Sequence, residues 1–148
     1  MEINFGPIGI IHTPFKTTAN MPIQSIRSDE IGSVEVFPEY LEGLEGIEGL
    51  SHIILIYVFH RLQGAVRLKV KPFLDDKEHG LFTTRYPNRP NPLGLSVVRL
   101  ISRNENYLDI RGVDMLDGTP LLDIKPYLPD FDVHPVSKTG WYAHRSKL

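Results

Sequence analysis

The sequence predicts a mostly β fold: a small antiparallel, barrel-like single domain over residues 1–148 with few short helices, and not a Rossmann-like fold. Three observations support this prediction. Several short runs of β-branched and aromatic residues are separated by turn residues, a pattern typical of small barrels and sandwiches. Long segments with helical periodicity are absent. So is the alternation of strands and helices that builds a doubly wound sheet.

The first half of the chain contains two predicted strands and a tight connector. Residues 3–12 mix β-branched residues with glycine and predict an opening strand, whereas residues 21–33 are polar and irregular. Residues 34–37 alternate and predict a short strand. Residues 41–50, LEGLEGIEGL, have glycine at every third position, which disfavours an α-helix. Their equally spaced leucine and isoleucine side chains predict 3₁₀-like turns with apolar anchors.

The strongest strand signal lies in residues 51–61. An unbroken apolar run there predicts a strand that is buried on both faces. Residues 66–71 alternate between apolar and basic side chains, so Val66, Leu68 and Val70 are predicted to point inward.

The second half of the chain continues the strand-rich pattern. Residues 95–101 and 107–113 predict two more strands. Asp117 and Gly118 stand between apolar flanks and predict a hairpin-type turn. The proline- and aromatic-rich stretch from Pro126 is predicted to wrap the body of the protein.

Composition narrows the function classes. A net charge of −2 and a pI near 6.3 do not favour a general polyanion binder, although Arg67, Lys69 and Lys71 form a local basic group. The absence of cysteine excludes disulfides, thiolate catalysis and cysteine-based metal sites. The start of the chain lacks a secretory pattern and the longest apolar run is too short for a bilayer, so the cytoplasm is the expected location, without membrane or DNA as partner.

Common catalytic motifs are missing from the sequence. It contains no P-loop, no glycine-rich dinucleotide motif, no HExxH and no nucleophile elbow. The six histidines are scattered singly, so no metal site is predicted.

The loop TTRYPNRPNPLGLS, residues 83–96, is the first candidate for chemistry. Its three prolines fix φ and restrict the residues before them, so the loop loses little entropy when it orders a ligand. Arg85 and Arg89 offer planar forks that suit carboxylate or phosphate, and Asn91 adds a donor and an acceptor. The alternative is a proline-braced turn whose arginines are merely solvated.

A second candidate is DGTPLLDIKPY, which begins at residue 117. In an extended stretch, Asp123, Lys125 and Tyr127 share one side, which places a carboxylate, an amine and a phenol together. A solvated ion pair on a strand surface is the alternative. His60 and Arg61 form a third candidate, since they stand where the strongest strand leaves the core.

These segments resemble the TsaA-like family, whose bacterial members are the TrmO methyltransferases. The matching pieces are IGIIHTPFK (8–16), IEGLSHIILIYVFHR (47–61), GLFTTRYPNRPNPLGLSVVRL (80–100) and DGTPLLDIKPYLP (117–129). The resemblance implies a small β-barrel that acts as a homodimer and uses S-adenosylmethionine. It implies N6-methylation of threonylcarbamoyladenosine, the modified adenosine 3′ of the anticodon in certain tRNAs.

The resemblance also implies a set of site residues. The expected cofactor-binding residues are Ser25, Ile26, Arg27, His60, Arg61, Arg85, Leu95, Asp117, Gly118, Thr119 and Pro120. The expected catalytic residues are Arg89, Asn91, Asp123, Lys125 and Tyr127. Asp123 and Tyr127 are candidates for the general base, and Lys125 for promoting ionisation of the phenol or holding the substrate carboxylate.

Two departures from the family pattern leave alternatives open. Tyr86 stands where a small hydroxyl residue is common, and we expect no counterpart of the additional C-terminal domain of longer bacterial members. The acceptor could therefore be another RNA or a small molecule. A non-catalytic S-adenosylmethionine-binding regulator and a scaffold with a purely structural loop are the remaining alternatives.

Overall fold

The computed structural model describes residues 1–17 and 28–147. Its eight strands are β1 (Gly9–His12), β2 (Ile31–Val36), β3 (His52–Val58), β4 (Lys69–Val70), β5 (His79–Gly80), β6 (Leu93–Asn104), β7 (Tyr107–Arg111) and β8 (Thr119–Pro126). The chain forms two compact units. The first comprises Met1–His60 and Gly94–Tyr127, and the second comprises Arg61–Leu93 and Leu128–Leu148.

The first unit is a closed six-stranded barrel in the order β1-β2-β7-β6-β3-β8. Its pairs β1–β2, β1–β8, β2–β7, β3–β8 and β6–β7 are antiparallel. Closure leaves no unpaired sheet edge, which explains why short strands suffice. The predicted mostly β, barrel-like fold is confirmed, and the sandwich alternative is excluded.

Alternation along the strands builds the barrel core. In β7 only Leu108 and Ile110 are buried, as the sequence predicts. In β3 the inward side chains are fully covered and the outward ones, such as Ile54 and Ile56, are half-buried. The predicted burial of β3 on both faces is therefore correct for one face and partial for the other.

A β-bulge in β8 changes which side chains point outward. Ile124 lies opposite Leu55 and Asp123 opposite Ile56, but the next partner of β3, Tyr57, lies opposite Leu121. Residue 122 is the extra residue, so the inward positions change from odd to even numbers there. Without the bulge, the charged residues that follow would point into the apolar core.

The second unit contains β4, β5, a 3₁₀ helix at Leu81–Thr83, the short helix α1 (Pro129–Asp132) and a 3₁₀ helix at Gly140–His144. Polar and ring contacts connect its two chain segments. Trp141 stacks on His79 with ring centroids 4.9 Å apart, and its Nε1 donates to the Thr83 carbonyl at 2.8 Å. His79 Nε2 lies 2.6 Å from Asp75 Oδ2. The C-terminal stretch therefore packs on residues 61–93 within this unit.

Several predicted boundaries were wrong. The opening strand begins at Gly9 rather than residue 3, and β2 begins at Ile31, inside a stretch predicted to be irregular. Only Lys69 and Val70 of the 66–71 stretch form a strand. Val66 and Leu68 precede β4 and are exposed, by 41% and 66%, whereas Val70, within β4, is buried as predicted.

Other local predictions had mixed outcomes. The 41–50 connector does form 3₁₀ helices, at Pro38–Leu44 and Ile47–Gly49, with Leu44 and Ile47 buried as anchors. The Asp117–Gly118 turn exists, with Gly118 at φ 80°, but it is not a hairpin because β8 pairs with β1 and β3. Among the described residues, no helix has the length and apolar character needed to cross a membrane.

Candidate functional site

The proline loop in the second unit is held by one guanidinium group. Nη1 of Arg89 donates to the carbonyl oxygens of Thr84 at 2.9 Å, Tyr86 at 3.0 Å and Leu81 at 3.4 Å. Such charge-assisted bonds are stronger than neutral ones, and Arg89 is half-buried. The arrangement gives Arg89 a clear part in fixing the loop backbone. Its predicted contact with an acceptor stays a prediction.

The other polar side chains of the loop are divided between buried and exposed positions. Thr84 is buried, and its hydroxyl donates to the Leu81 carbonyl and accepts from the Tyr86 amide. The Leu93 amide donates to the Asn91 carbonyl at 2.7 Å, which closes the loop. Arg85 and Asn91 are exposed. A fixed backbone with exposed guanidinium and amide groups suits ligand binding.

The Asp117 turn belongs to the first unit and is tied to the segment after β1. Asp117 Oδ1 accepts from the Thr13 amide at 2.9 Å, and Oδ2 lies 2.6 Å from Lys16 Nζ. The hydrogen bond from Lys16, more than that from Thr13, holds the pKa of Asp117 below its ordinary value. The carboxylate is therefore anionic at neutral pH and can bind a cationic group.

Two polar residues beside this turn were missed by the sequence analysis. His12 Nε2 lies 3.0 Å from Glu35 Oε1, and its Nδ1 lies 3.9 Å from Asp117 Oδ1. The charge of Glu35 and, to a lesser extent, burial raise the pKa of Tyr107. The sequence signal was weak, because His12 and Glu35 are distant along the chain and meet only through the β1–β2 register.

The remaining turn residues contribute backbone rather than polar side chains. Thr119 is buried, and its hydroxyl donates to the Leu116 carbonyl at 2.6 Å. The Gly118 amide donates to the Ile11 carbonyl, and a side chain at Gly118 would meet nothing within 4 Å. Pro120 is half-buried. The turn is thus a rigid, open backbone segment.

The predicted grouping of Asp123 and Lys125 on one side of β8 is confirmed. Lys125 Nζ lies 3.0 Å from Asp123 Oδ2, while Asp123 Oδ1 accepts from the Ile124 amide at 2.9 Å. The aromatic ring of Tyr127 meets His52 edge-on, with centroids 6.4 Å apart. Because of the bulge in β8, the Asp123–Lys125 pair lies on the accessible outer face of the barrel.

A buried polar chain lies where β6 begins, and the sequence analysis missed it as well. The Tyr57 hydroxyl is 2.8 Å from Ser96 Oγ, which donates to Asp114 Oδ1 at 2.6 Å. Gly94 lies directly against the Tyr57 ring, and the next residue, Leu95, is 53% exposed. The chain fixes the start of β6, where an apolar side chain is presented to solvent.

The predicted site residues are distributed over both units. The first unit contains His60, Leu95, Asp117, Gly118, Thr119, Pro120, Asp123, Lys125 and Tyr127, and the second contains Arg61, Arg85, Arg89 and Asn91. Ser25, Ile26 and Arg27 lie outside the described residues. Across the described parts of the chain, no cluster of three or more acidic or histidine side chains suits a metal ion.

Comparison with known proteins gives a consistent result. The model of a family described as the tRNA-methyltransferase O N-terminal domain matches residues 10–133. A probable S-adenosyl-L-methionine-binding protein of Pyrococcus abyssi is 57% identical over 142 residues, which are 95% of this chain and 77% of that protein. The tRNA (adenine(37)-N6)-methyltransferase of Mus musculus is 37% identical over 134 residues, which are 85% of this chain and 31% of the mouse protein.

Solved structures agree with the barrel. A crystal structure of TrmO superposes with a TM-score of 0.81 at 38% identity, covering 95% of this chain and 64% of that one. The crystal structure of TrmO from Pseudomonas aeruginosa gives a TM-score of 0.79 at 36% identity and the same coverage of this chain, with 62% of its own length covered. The chain thus spans somewhat less than two thirds of these solved relatives.

Proposed function

The chain belongs to the family of the tRNA-methyltransferase O N-terminal domain, and from this premise we propose that it methylates N6 of threonylcarbamoyladenosine beside the anticodon of tRNA, with S-adenosylmethionine as methyl donor. The observation that carries the proposal is the family match over residues 10–133, which includes the proline loop and the Asp123–Lys125 pair. The names of the relatives support an S-adenosylmethionine-dependent enzyme that acts on an adenine of tRNA.

The chemistry of the exposed groups fits this cofactor. S-adenosylmethionine supplies an electrophilic methyl group on a sulfonium sulfur. The anionic Asp117 suits its ammonium group, and the open backbone at Gly118 suits its ribose hydroxyls. The exposed Leu95 gives an apolar surface for adenine, and Arg85 suits the carboxylate. His60 and Arg61 complete the proposed cofactor set.

The acceptor nitrogen requires loss of a proton. N6 of threonylcarbamoyladenosine is acylated, so its lone pair is delocalised and a base is needed as the new bond forms. The candidates are the Asp123 carboxylate, in β8, and the phenol of Tyr127, the residue that follows β8. Lys125 already neutralises Asp123 at 3.0 Å, so a substrate carboxylate that binds Lys125 would leave Asp123 better able to accept a proton. Asn91 and Arg89 orient the acceptor in this proposal.

We further propose that the protein acts as a homodimer in the cytoplasm. The barrel unit exposes the large apolar side chains Ile31, Leu95, Ile101 and Tyr107, each between 44% and 53% accessible, which suits contact with a second copy. Light scattering that gives the monomer mass at micromolar concentration would contradict the dimer.

A labelled-transfer assay tests the function. The protein is incubated with S-adenosylmethionine carrying a labelled methyl group and with tRNA that either carries or lacks the threonylcarbamoyl group. We expect label only in the modified tRNA, on N6 of the hypermodified adenosine. Label in unmodified adenosine would overturn the substrate. Cofactor binding without any transfer would favour the second candidate, a non-catalytic S-adenosylmethionine-binding protein, which the name of the Pyrococcus abyssi relative supports.

A further inference from the structure

The second unit contains a polar cavity that includes none of the predicted cofactor or catalytic residues. Its volume is about 480 Å³, within the ~300–1,000 Å³ range of small-ligand pockets. The side chains that define its chemistry are those of Gln63, Arg67, Lys71, Glu78, Tyr86 and Asn88. All of them belong to residues 61–93, so the cavity is complete within one unit.

The charge of the cavity is positive on balance. Arg67 Nη2 lies 3.0 Å from Glu78 Oε1, so these two charges offset one another. Within residues 1–17 and 28–147, the Lys71 ammonium makes no hydrogen bond or ion pair, and the same holds for the exposed Lys69 nearby. An anionic group bound at the cavity would therefore find unpaired ammonium groups, on and beside β4.

The cavity also has an aromatic surface. The Tyr86 ring stacks on Phe73 with centroids 5.9 Å apart and planes inclined by 24°. Phe73 is 63% exposed and Tyr86 is half-buried, so the paired rings offer a supported flat surface to solvent. Aromatic rings of this kind bind unpaired bases by stacking, and every base has a suitable face.

Asn88 adds a group that can form hydrogen bonds with a base. Its Nδ2 is 3.3 Å from the Ala65 carbonyl and 3.5 Å from that of Gln63, contacts that orient the amide. Within the described residues the amide oxygen Oδ1 accepts no hydrogen bond, so it is available to the amino edge of a base.

We propose that this cavity binds one unpaired nucleotide of the RNA, with its base on the Phe73–Tyr86 pair, its edge on Asn88 and its phosphate on Lys71. Lys71 lines the cavity and the exposed Lys69 lies two residues before it, so a strand with phosphates on both sides of the bound base fits better than a free mononucleotide. The identity of the RNA as tRNA rests on the proposed function; the nucleotide site itself does not.

The test measures binding of a labelled 17-nucleotide anticodon stem-loop by fluorescence anisotropy, with AMP as a separate arm. We expect Tyr86→Leu to weaken RNA binding about tenfold, the order of one stacked base. Lys71→Gln should weaken it a few-fold and reduce the salt dependence by about 0.7, the value for one phosphate contact in a single strand. AMP should bind far more weakly than RNA.

Matched controls separate the site from general effects. Tyr40→Leu removes an exposed phenol from the barrel unit, and Lys138→Gln removes an exposed charge elsewhere in the second unit. Both should bind RNA like the wild type. The affinity for S-adenosylmethionine should be unchanged in Tyr86→Leu and in Lys71→Gln. If Tyr86→Leu does not fold, the RNA affinity and salt dependence of Lys71→Gln test the nucleotide site on their own.

Unaltered RNA affinity and salt dependence in Lys71→Gln would overturn the nucleotide site, as would AMP binding as tight as that of RNA. These failures are distinct from failure of the proposed function. If the pocket variants methylate threonylcarbamoylated tRNA at normal rates, only the proposed nucleotide site is contradicted. If RNA binds through the cavity but no methyl group is transferred, only the proposed methyltransferase function is contradicted.

Discussion

The barrel unit and the second unit keep their structures by different means. The barrel is held by alternating apolar side chains that meet in one core, among them Leu55, Leu108 and Leu121. The second unit has little regular structure and depends on specific contacts, such as the three carbonyl bonds of Arg89 and the stack of Trp141 on His79. The barrel should therefore tolerate loss of a polar contact better than the second unit does.

Two leucines make the largest contrast. Leu55 is fully buried in β3, whereas Leu68 is 66% exposed in the second unit. We expect Leu55→Ala to lower the free energy of unfolding by ~2–5 kcal/mol because it leaves a cavity. Leu68→Ala should change it by less than ~0.5 kcal/mol. Urea denaturation of both variants measures the difference, and equal losses would show that Leu68 is covered in solution.

Two glycines of the barrel unit differ in the same way, because one is tightly surrounded and the other is not. A Cβ at Gly94 would overlap the ring of Tyr57, whereas one at Gly43 would meet nothing within 4 Å. Gly94→Ala should therefore cost ~1–3 kcal/mol through overpacking and disturb the Tyr57–Ser96 hydrogen bond. Gly43→Ala should be neutral or slightly stabilising. A normal unfolding midpoint for Gly94→Ala in thermal denaturation would contradict the tight packing.

This difference between the units also explains which strands and contacts could be predicted from the sequence. Alternation predicted β7, because one buried face imposes a two-residue period, whereas β3 was predicted from an unbroken apolar run. The same period misplaced Val66 and Leu68, since the strand β4 begins only at Lys69 and the two residues lie before it. Tyr57, Ser96 and Asp114 escaped notice because a chain of buried hydrogen bonds depends on three-dimensional neighbours.

The sequence likewise predicted part of the candidate site and not the rest. The grouping of Asp123 with Lys125 followed from spacing alone, whereas their outward direction depends on the bulge at residue 122. The density of planar hydrogen-bonding groups identified the proline loop as a candidate site. It did not reveal that Arg89 is engaged by the loop's own carbonyl groups, since that bonding depends on the folded loop.

Arg89→Lys tests how the second unit is held. Lysine lacks the planar fork, so we expect it to replace at most one of the three carbonyl bonds. Amide hydrogen exchange over residues 81–93 should accelerate about tenfold, while exchange in the barrel strands stays unchanged. Arg99→Lys, on an exposed position of β6, is the control and should leave both units as they are. Uniform acceleration across both units would show that the loop and the barrel unfold together.

Acid stability probes the ion pair between Lys16 and Asp117 at the turn of the barrel. Because Lys16 and the Thr13 amide lower the pKa of Asp117 in the folded state, their contribution is complete above its ordinary value of 3.8 and is lost as the pH falls below it. Asp117→Asn removes this dependence. The stability difference between wild type and variant should therefore shrink between pH 7 and pH 3 in urea denaturation. A constant difference would exclude Asp117 as the titrating group.

The Asp123–Lys125 pair should contribute little to stability, and this makes it the most informative position for function. Both side chains are about half exposed, so Asp123→Asn should change the free energy of unfolding by less than ~1 kcal/mol. If the carboxylate takes the proton from N6, methyl transfer should nonetheless fall by about 10²-fold or more. Asp109→Asn, on the exposed face of β7, is the matched control and should leave the rate unchanged. A normal rate in Asp123→Asn together with a slow Tyr127→Phe would assign the role of base to the phenol, and normal rates in both would exclude both groups as the base.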